Sequence, residues 1–336
     1  MPGAKAIHKH PLRLLTYLLV AGALSFPLIA LLRASFTFTG NTLARRYPAP
    51  GRMISVDSHR LFLYCMGNGG PSVIVESGLG VDWTGWRLVM PKLAGLTQVC
   101  VYDRAGYGWS DPGPLPRTAL RMTAELHSLL RNAKIDEPYI LLAHSFGGYV
   151  ARLYAAKFGD SLAGVVLVDP SHEDEPPLTG LDRKIRALAP PMGLERLVRL
   201  YRGIAALPPE LKTAPSNFQY RFLIAPSVNQ IEAARQENAS LPQTQAAARA
   251  APFPENLPLT VITARHIISP HLYYPPPVPE PAANHRELQS RLAHMSLRGQ
   301  QIIAADSGHS VQLDQPELIV EAIRNMIDAY RRTPHR

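Results

Sequence analysis

Cysteine is almost missing from this chain: its 336 residues include only Cys65 and Cys100. Neither belongs to a CxxC pair or a Cys/His cluster, so no structural zinc site is expected. Both lie in apolar, strand-like runs, where a free thiol behaves as a small hydrophobe, and two buried thiols are the expectation. Charged side chains are also few, at 18% against 46% hydrophobic residues. That balance argues against disorder and provides for one large core with a small accessory region. The cations exceed the acids by 35 to 26, but the excess is diffuse and part of it sits in the terminal Arg331–Arg336 tail. No basic helix with interleaved aromatics occurs, and no nucleic-acid partner is expected. Internal repeats are missing as well.

One long hydrophobic run is present. Residues 14–32 carry no ionisable side chain except Tyr17 and are rich in Leu and Ala. Their length is about what a helix needs to cross a bilayer. The run reads as a single-pass membrane anchor behind a basic tail over 1–13. A cleaved signal peptide is the rival reading, for which the run is long and lacks a small-x-small site. Lys5, Lys9 and Arg13 on one flank balance Arg33, Arg45 and Arg46 on the other, so the positive-inside rule leaves the sidedness open. A linker over 33–52 follows.

From residue 53, short β-type runs alternate with helical patterns, the sequence form of a mostly parallel sheet covered by helices. Met53–Val56 and Arg60–Cys65 read as a hairpin around Asp57-Ser58-His59. Ser72–Glu76, Gln98–Tyr102, Tyr139–Ala143 and Ala163–Val168 read as compact strands, with Thr118–Ala133 and Phe146–Phe158 as helices between them. In such sheets ligands and catalysis gather at the C-terminal strand ends. The strand pattern stops at Ser171, and the interval 171–258, with its paired prolines, reads as an inserted helical lid. Leu259–Thr263 and Gln300–Ala304 complete the sheet, with Asn284–Met295 and Glu317–Arg331 as helices and Ser269–Pro281 as an irregular loop. The core is therefore assigned to 53–170 and 259–332.

The sharpest local signal is Tyr139-Ile-Leu-Leu-Ala-His-Ser145-Phe-Gly-Gly-Tyr149. An apolar strand runs into a small-x-Ser-x-Gly turn and then into a helix, which resembles the nucleophile elbow. The turn is so tight that the residues two before and two after the serine must be small, here Ala143 and Gly147. It presents the hydroxyl at a helix N-terminus, where developing negative charge is favoured. Alanine at 143 departs from the usual glycine by one methyl. The competing reading of Ser145 is an ordinary helix-capping serine.

Two further runs point the same way: Val101-Tyr-Asp103-Arg104-Ala-Gly106-Tyr-Gly108-Trp-Ser110-Asp111, and Ala304-Ala-Asp-Ser-Gly-His309-Ser-Val-Gln-Leu-Asp-Gln-Pro316-Glu317. Together with Glu76–Trp86 and Leu167–Asp174 they resemble the α/β-hydrolase superfamily, especially its esterase, aminopeptidase and C–C hydrolase-like members. The resemblance covers most of residues 53–330. It implies the α/β-hydrolase fold, a mostly parallel eight-stranded sheet flanked by helices, with the lid inserted. It also implies acyl transfer without metal or cofactor. Ser145 would attack a carbonyl, His309 would act as general base, and the backbone N–H groups of Leu79 and Phe146 would hold the oxyanion. An aspartate nucleophile, as in epoxide hydrolases and haloalkane dehalogenases of this fold, is argued against by Ser145.

The acid of the triad departs from the family's commonest pattern. No aspartate follows Leu259–Thr263 before Asp306, and only Glu280 and Glu287 lie in that interval. Asp169, at the end of the preceding strand, occupies a position that some relatives use. It would accept Nδ1–H of His309 and fix the tautomer, the alternative being that it only caps the turn into the lid. The resemblance further implies that Asp103 and Arg104 form a buried structural pair. It also sets the strands bearing Cys65 and Cys100 side by side, which permits a bond without establishing one. His144 is expected to pack or hydrogen-bond in the elbow, and His172, His266 and His271 to face solvent. The substrate implied is a carboxylic ester, small or lipid-like, with a hydrophobic one suiting an anchored enzyme. Peptide-bond or C–C cleavage, and a catalytically silent binding protein of the same fold, are the alternatives.

Overall fold

The computed structural model describes residues 49–175, 228–266 and 283–333. All fall within one compact unit that takes in Ala49–Ile185 and Ala225–Arg336. The apolar run 14–32, most of the interval read as a lid (176–227) and the stretch 269–281 lie outside the described residues. Among the described residues no helix is long and apolar enough to cross a membrane.

A hairpin opens the sheet. Strands β1 (Arg52–Val56) and β2 (His59–Met66) pair antiparallel with Val56 opposite His59. The register leaves Asp57 and Ser58 as a two-residue turn, and Asp57 takes φ +49° there, as turns of this length demand. The other strands are β3 (Ser72–Glu76), β4 (Val99–Tyr102), β5 (Tyr139–His144), β6 (Leu162–Val168), β7 (Leu259–Ala264) and β8 (Gly299–Ala304). They form one eight-stranded sheet in the order β1-β2-β4-β3-β5-β6-β7-β8, parallel from β4 through β8. Every residue of β3, β5 and β6 is buried, which is why the central residues of these strands read as apolar runs rather than alternating ones.

The helices follow from their end signals as much as from periodicity. α1 (Ala119–Ala133) starts where the Thr118 hydroxyl accepts the Arg121 N–H and stops where Lys134 turns left-handed. That side-chain cap satisfies one of the orphan amides of the first turn. α2 (Gly147–Phe158) runs directly out of the end of β5. The described part of the interval 171–258 supplies α3 (Val228–Ala239) and α4 (Leu241–Ala250). α4 is tied to the core where the Thr244 hydroxyl accepts the Ala119 N–H. α5 (Ala283–Ala293) and α6 (Pro316–Arg332) complete the set. Short helical turns at Trp83–Trp86, Met90–Leu93 and Val311–Asp314 were not foreseen. Four residues are too few to display a helical period.

The expectation of two buried thiols is corrected. Cys65 on β2 stands directly opposite Cys100 on β4, and the two form a disulfide. Cys100 is fully buried and Cys65 only partly so.

The chain departs from β3 to β4 on one side of the sheet and returns to β5 on the other. At such a reversal, beyond the C-terminal strand ends, open α/β sheets place their sites. The loops leaving β3, β5, β6 and β8 all meet there.

Candidate active site

Ser145 occupies the turn between β5 and α2 at φ +53°, a left-handed conformation that costs a non-glycine residue of order 1–3 kcal/mol. The surroundings hold it there. Its N–H donates to the Val168 carbonyl at 3.1 Å, and its carbonyl accepts from Gly148 and Ser171 at 2.9 and 3.0 Å. The small residues of the turn have specific neighbours. A Cβ on Gly147 would lie 2.8 Å from the carbonyl oxygens of Glu76 and Ser77, and one on Gly78 would lie 3.2 Å from Ser145 Cβ. Ala143, in place of glycine, is completely buried within β5.

The structure brings together three side chains that are far apart in sequence. His309 Nε2 lies 2.9 Å from Ser145 Oγ, and His309 Nδ1 lies 2.6 Å from Asp169 Oδ2. With Nδ1–H donated to the carboxylate, Nε2 is left as the acceptor for the serine hydroxyl, the arrangement a general base requires. Asp169 is held as firmly as Ser145. It sits at φ +41°, its N–H continues the sheet ladder to the Ile262 carbonyl at 2.7 Å, and its Oδ1 accepts the Ala264 N–H at 2.9 Å. Burial alone would raise its pKa, but the bonds and charges of His285 and His309 outweigh it and hold the carboxyl well below the ordinary range. The carboxylate is therefore ionised wherever the protein is folded at moderate pH. Of the other acids weighed for this place, Glu287 and Asp306 are exposed, and Glu280 lies outside the described residues.

The second histidine on Asp169 was missed by sequence reasoning. His285 Nε2 lies 3.1 Å from Asp169 Oδ1, and its Nδ1 is 3.9 Å from the Glu175 carboxylate. Burial opposes its charged form, yet the bond to Asp169 and the two carboxylates raise its pKa above the usual value. It is the third residue of α5 and has no motif around it; no local signal would have found it.

His144 sits where expected, packed in the elbow. Its Nε2 donates to the His309 carbonyl at 2.9 Å, tying β5 to the histidine loop. Nδ1 faces Gly78, where a Cβ would come within 2.7 Å of it. Burial, helped by the nearby His309, lowers its pKa to about 3, so the ring is neutral and braces the loop without carrying charge. Gly308 N–H donates to Asp314 at 2.9 Å, which secures the other side of that loop. His172, expected to face solvent, is instead buried, with its Nδ1 accepting the Asp174 N–H at 3.0 Å. His266 is half-buried, and His271 lies outside the described residues.

Phe146 follows the serine at the N-terminus of α2, and Leu79 lies in the loop after β3 that abuts Ser145 through Gly78. Ser77 uses its hydroxyl to accept Trp86 Nε1–H at 3.1 Å. Asp103 and Arg104 are both buried, as expected, but they serve different partners. Asp103 accepts the N–H groups of Trp83 and Trp109 at 2.9 and 3.0 Å. Arg104 pairs with Glu76 at 2.6 Å and with Glu237 at 2.9 Å. Burial pushes the Glu76 pKa up against the pull of Arg104. Among the described residues no group of His, Cys, Asp or Glu is arranged to hold a metal ion.

The fold has counterparts among solved structures. The chain superposes on Cfl2 from Burkholderia cenocepacia with a TM-score of 0.62 and 20% identity, covering 82% of this chain and 95% of that one. An esterase from Thermogutta terrifontis gives 0.57 and 22%, covering 84% and 99%. Likenesses at these identities establish the fold. In sequence, the uncharacterized protein YqjL of Bacillus subtilis is 34% identical over 108 residues, which is 32% of this chain and 43% of YqjL. The chain spans about half or less of the length of the curated relatives it matches first. The sequence model of the alpha/beta hydrolase family matches residues 73–322, more than half of the chain, and with the fold described above this chain belongs to the alpha/beta hydrolase family.

Proposed function

We propose that the protein is a serine hydrolase that cleaves a carboxylic ester through an acyl-enzyme on Ser145. The observation that carries this reading is the continuous hydrogen-bonded line Ser145–His309–Asp169, at 2.9 and 2.6 Å. His309 takes the proton of the serine hydroxyl as Oγ attacks the carbonyl and returns it to the leaving alcohol. It then deprotonates the water that releases the acid. The N–H groups of Leu79 and Phe146 receive the charge that develops on the carbonyl oxygen. Asp169 keeps the imidazole in the required tautomer and stabilises the imidazolium.

The apolar run 14–32 supports a membrane tether, and a tethered hydrolase suits a hydrophobic, lipid-like ester. The Cys65–Cys100 bond supports an oxidising compartment for the hydrolase unit, since such bonds persist there and are rare in the cytosol. A series of p-nitrophenyl esters from acetate to palmitate tests the substrate class. Rising kcat/KM with chain length, abolished in Ser145→Ala, is expected; a preference for acetate would overturn the lipid-like assignment while leaving the esterase in place. For the tether, full-length protein should stay with membranes through an alkaline carbonate wash, and release by that wash would contradict it.

A further inference from the structure

α3 lies in the segment set between β6 and β7, yet its inward side chains reach the loop that carries Leu79. Gln230, Ala233 and Glu237 stand at helical spacing on one face, and all three are buried, Glu237 with no exposed surface at all. Ala233 approaches so closely that a Cβ on Gly106 would lie 2.8 Å from its own. The Glu237 carboxylate takes the guanidinium of Arg104 in a two-point grip, from Nε at 2.9 Å and Nη2 at 3.0 Å. The same guanidinium donates to the Ser77 carbonyl and, at 2.9 Å, to the Gly78 carbonyl. Tyr107 donates to Glu237 at 2.7 Å and accepts the Gly80 N–H at 3.0 Å. Gln230 donates to the Gly80 carbonyl at 3.0 Å.

These bonds fix the peptide groups on either side of Leu79. A peptide plane carries its C=O and the next N–H on opposite edges. With the Gly78 carbonyl turned onto Arg104, the Leu79 N–H points away from Arg104, and Gly78 itself abuts Ser145.

We propose that Glu237 and Gln230 of α3 are positioning residues for the oxyanion hole, Glu237 acting through Arg104 and Tyr107 and Gln230 directly on the Gly80 carbonyl, to aim the Leu79 N–H at the reacting carbonyl. The proposal rests on the reading of Ser145 as nucleophile. It makes α3 a part of the catalytic apparatus, so that whatever docks or shifts this helix changes the rate of acyl transfer more than the affinity for substrate. Removing one oxyanion donor slows such enzymes by about 10²–10³-fold, and a misdirected donor belongs in or just below that range.

The test compares wild type with Glu237→Ala, Glu237→Gln, Gln230→Ala and Tyr107→Phe. Read out are kcat and KM on a p-nitrophenyl ester and the inhibition constants of two acyl ketones of equal chain length. One is a trifluoromethyl ketone, which forms an oxyanion adduct with the serine; the other is the plain methyl ketone, which does not. Expected are a fall in kcat of about 30-fold or more for Glu237→Ala with KM within threefold, partial rescue in Glu237→Gln, and smaller falls in the other two. Across the set, trifluoromethyl ketone affinity should fall in step with kcat/KM while methyl ketone affinity stays level. If Glu237→Ala does not fold, Gln230→Ala and Tyr107→Phe decide the matter, because both leave the Arg104–Glu237 pair in place. Folded variants with wild-type kcat, or equal losses for both ketones, overturn the coupling alone. A wild type that forms no adduct with the trifluoromethyl ketone overturns the serine mechanism instead.

Discussion

Asp169 receives hydrogen bonds from His309, His285 and the Ala264 N–H, and only an ionised carboxylate can accept all three. Asparagine would offer one acceptor oxygen and an NH2 group that cannot take the Nδ1–H of His309. Asp169→Asn is therefore expected to lower kcat by about 10⁴-fold with little change in KM, whereas Glu287→Gln, on the exposed side of α5, should retain activity; steady-state kinetics on one ester separates them. His144 gives a prediction about stability rather than rate. Its pKa is about 6.5 in an unfolded chain and about 3 in the fold, because burial penalises the charged ring. Between those values the unfolded state binds the extra proton, so stability rises with pH across that window and is lost as pH falls through it. Urea titrations from pH 7 to pH 3 should show a shallower slope for His144→Gln than for wild type; identical slopes would contradict the assignment. Ser145, His309 and Asp169 were legible in the sequence because a tight turn, a chain order and a strand end each leave a local mark. His285 and Glu237 left none. Their partners lie 116 and 133 residues away, and a polar residue on a helix looks the same in sequence whether it meets solvent or a buried cation.

At the scale of elements, the approach of α2 to the end of β3 depends on Gly147. A methyl there would meet the backbone oxygens of Glu76 and Ser77 at 2.8 Å, and neither can swing aside as a side chain would. Gly147→Ala is expected to cost about 1–3 kcal/mol of stability and to lower kcat by shifting Ser145; a thermal melt and an ester assay on the same preparation check both. A variant as stable and active as wild type would show that the elbow has slack. The strands of the core were readable because burial on both faces leaves unbroken apolar runs such as Val165–Val168. α3 and α4 were harder. The inward face of α3 presents Gln230, Ala233 and Glu237, so its buried side carries no apolar stripe, and the helical period that betrays an ordinary amphipathic helix is absent.

At the scale of the molecule, one covalent tie joins β2 to β4 across a loop of 35 residues. Closing a loop of that length stabilises a fold by about 4 kcal/mol through the unfolded chain's lost freedom. Thiol titration of denatured, unreduced protein should find no free thiol, and reduction should lower the melting temperature; two titratable thiols would contradict the bond. The sequence could not decide this point, because the apolar context of Cys65 and Cys100 suits a buried thiol and a bridge equally, and only strand order sets them face to face. The family fold, by contrast, was visible in the alternation of strands and helices and in three spaced motifs. Whether this alpha/beta hydrolase acts through Ser145, as proposed, is decided by covalent labelling. Folded wild-type protein treated with a fluorophosphonate probe and digested should carry one adduct, on the peptide containing Ser145, and Ser145→Ala should carry none. Folded protein that leaves Ser145 unmodified, or is labelled as well in Ser145→Ala, would rule out Ser145 as the nucleophile.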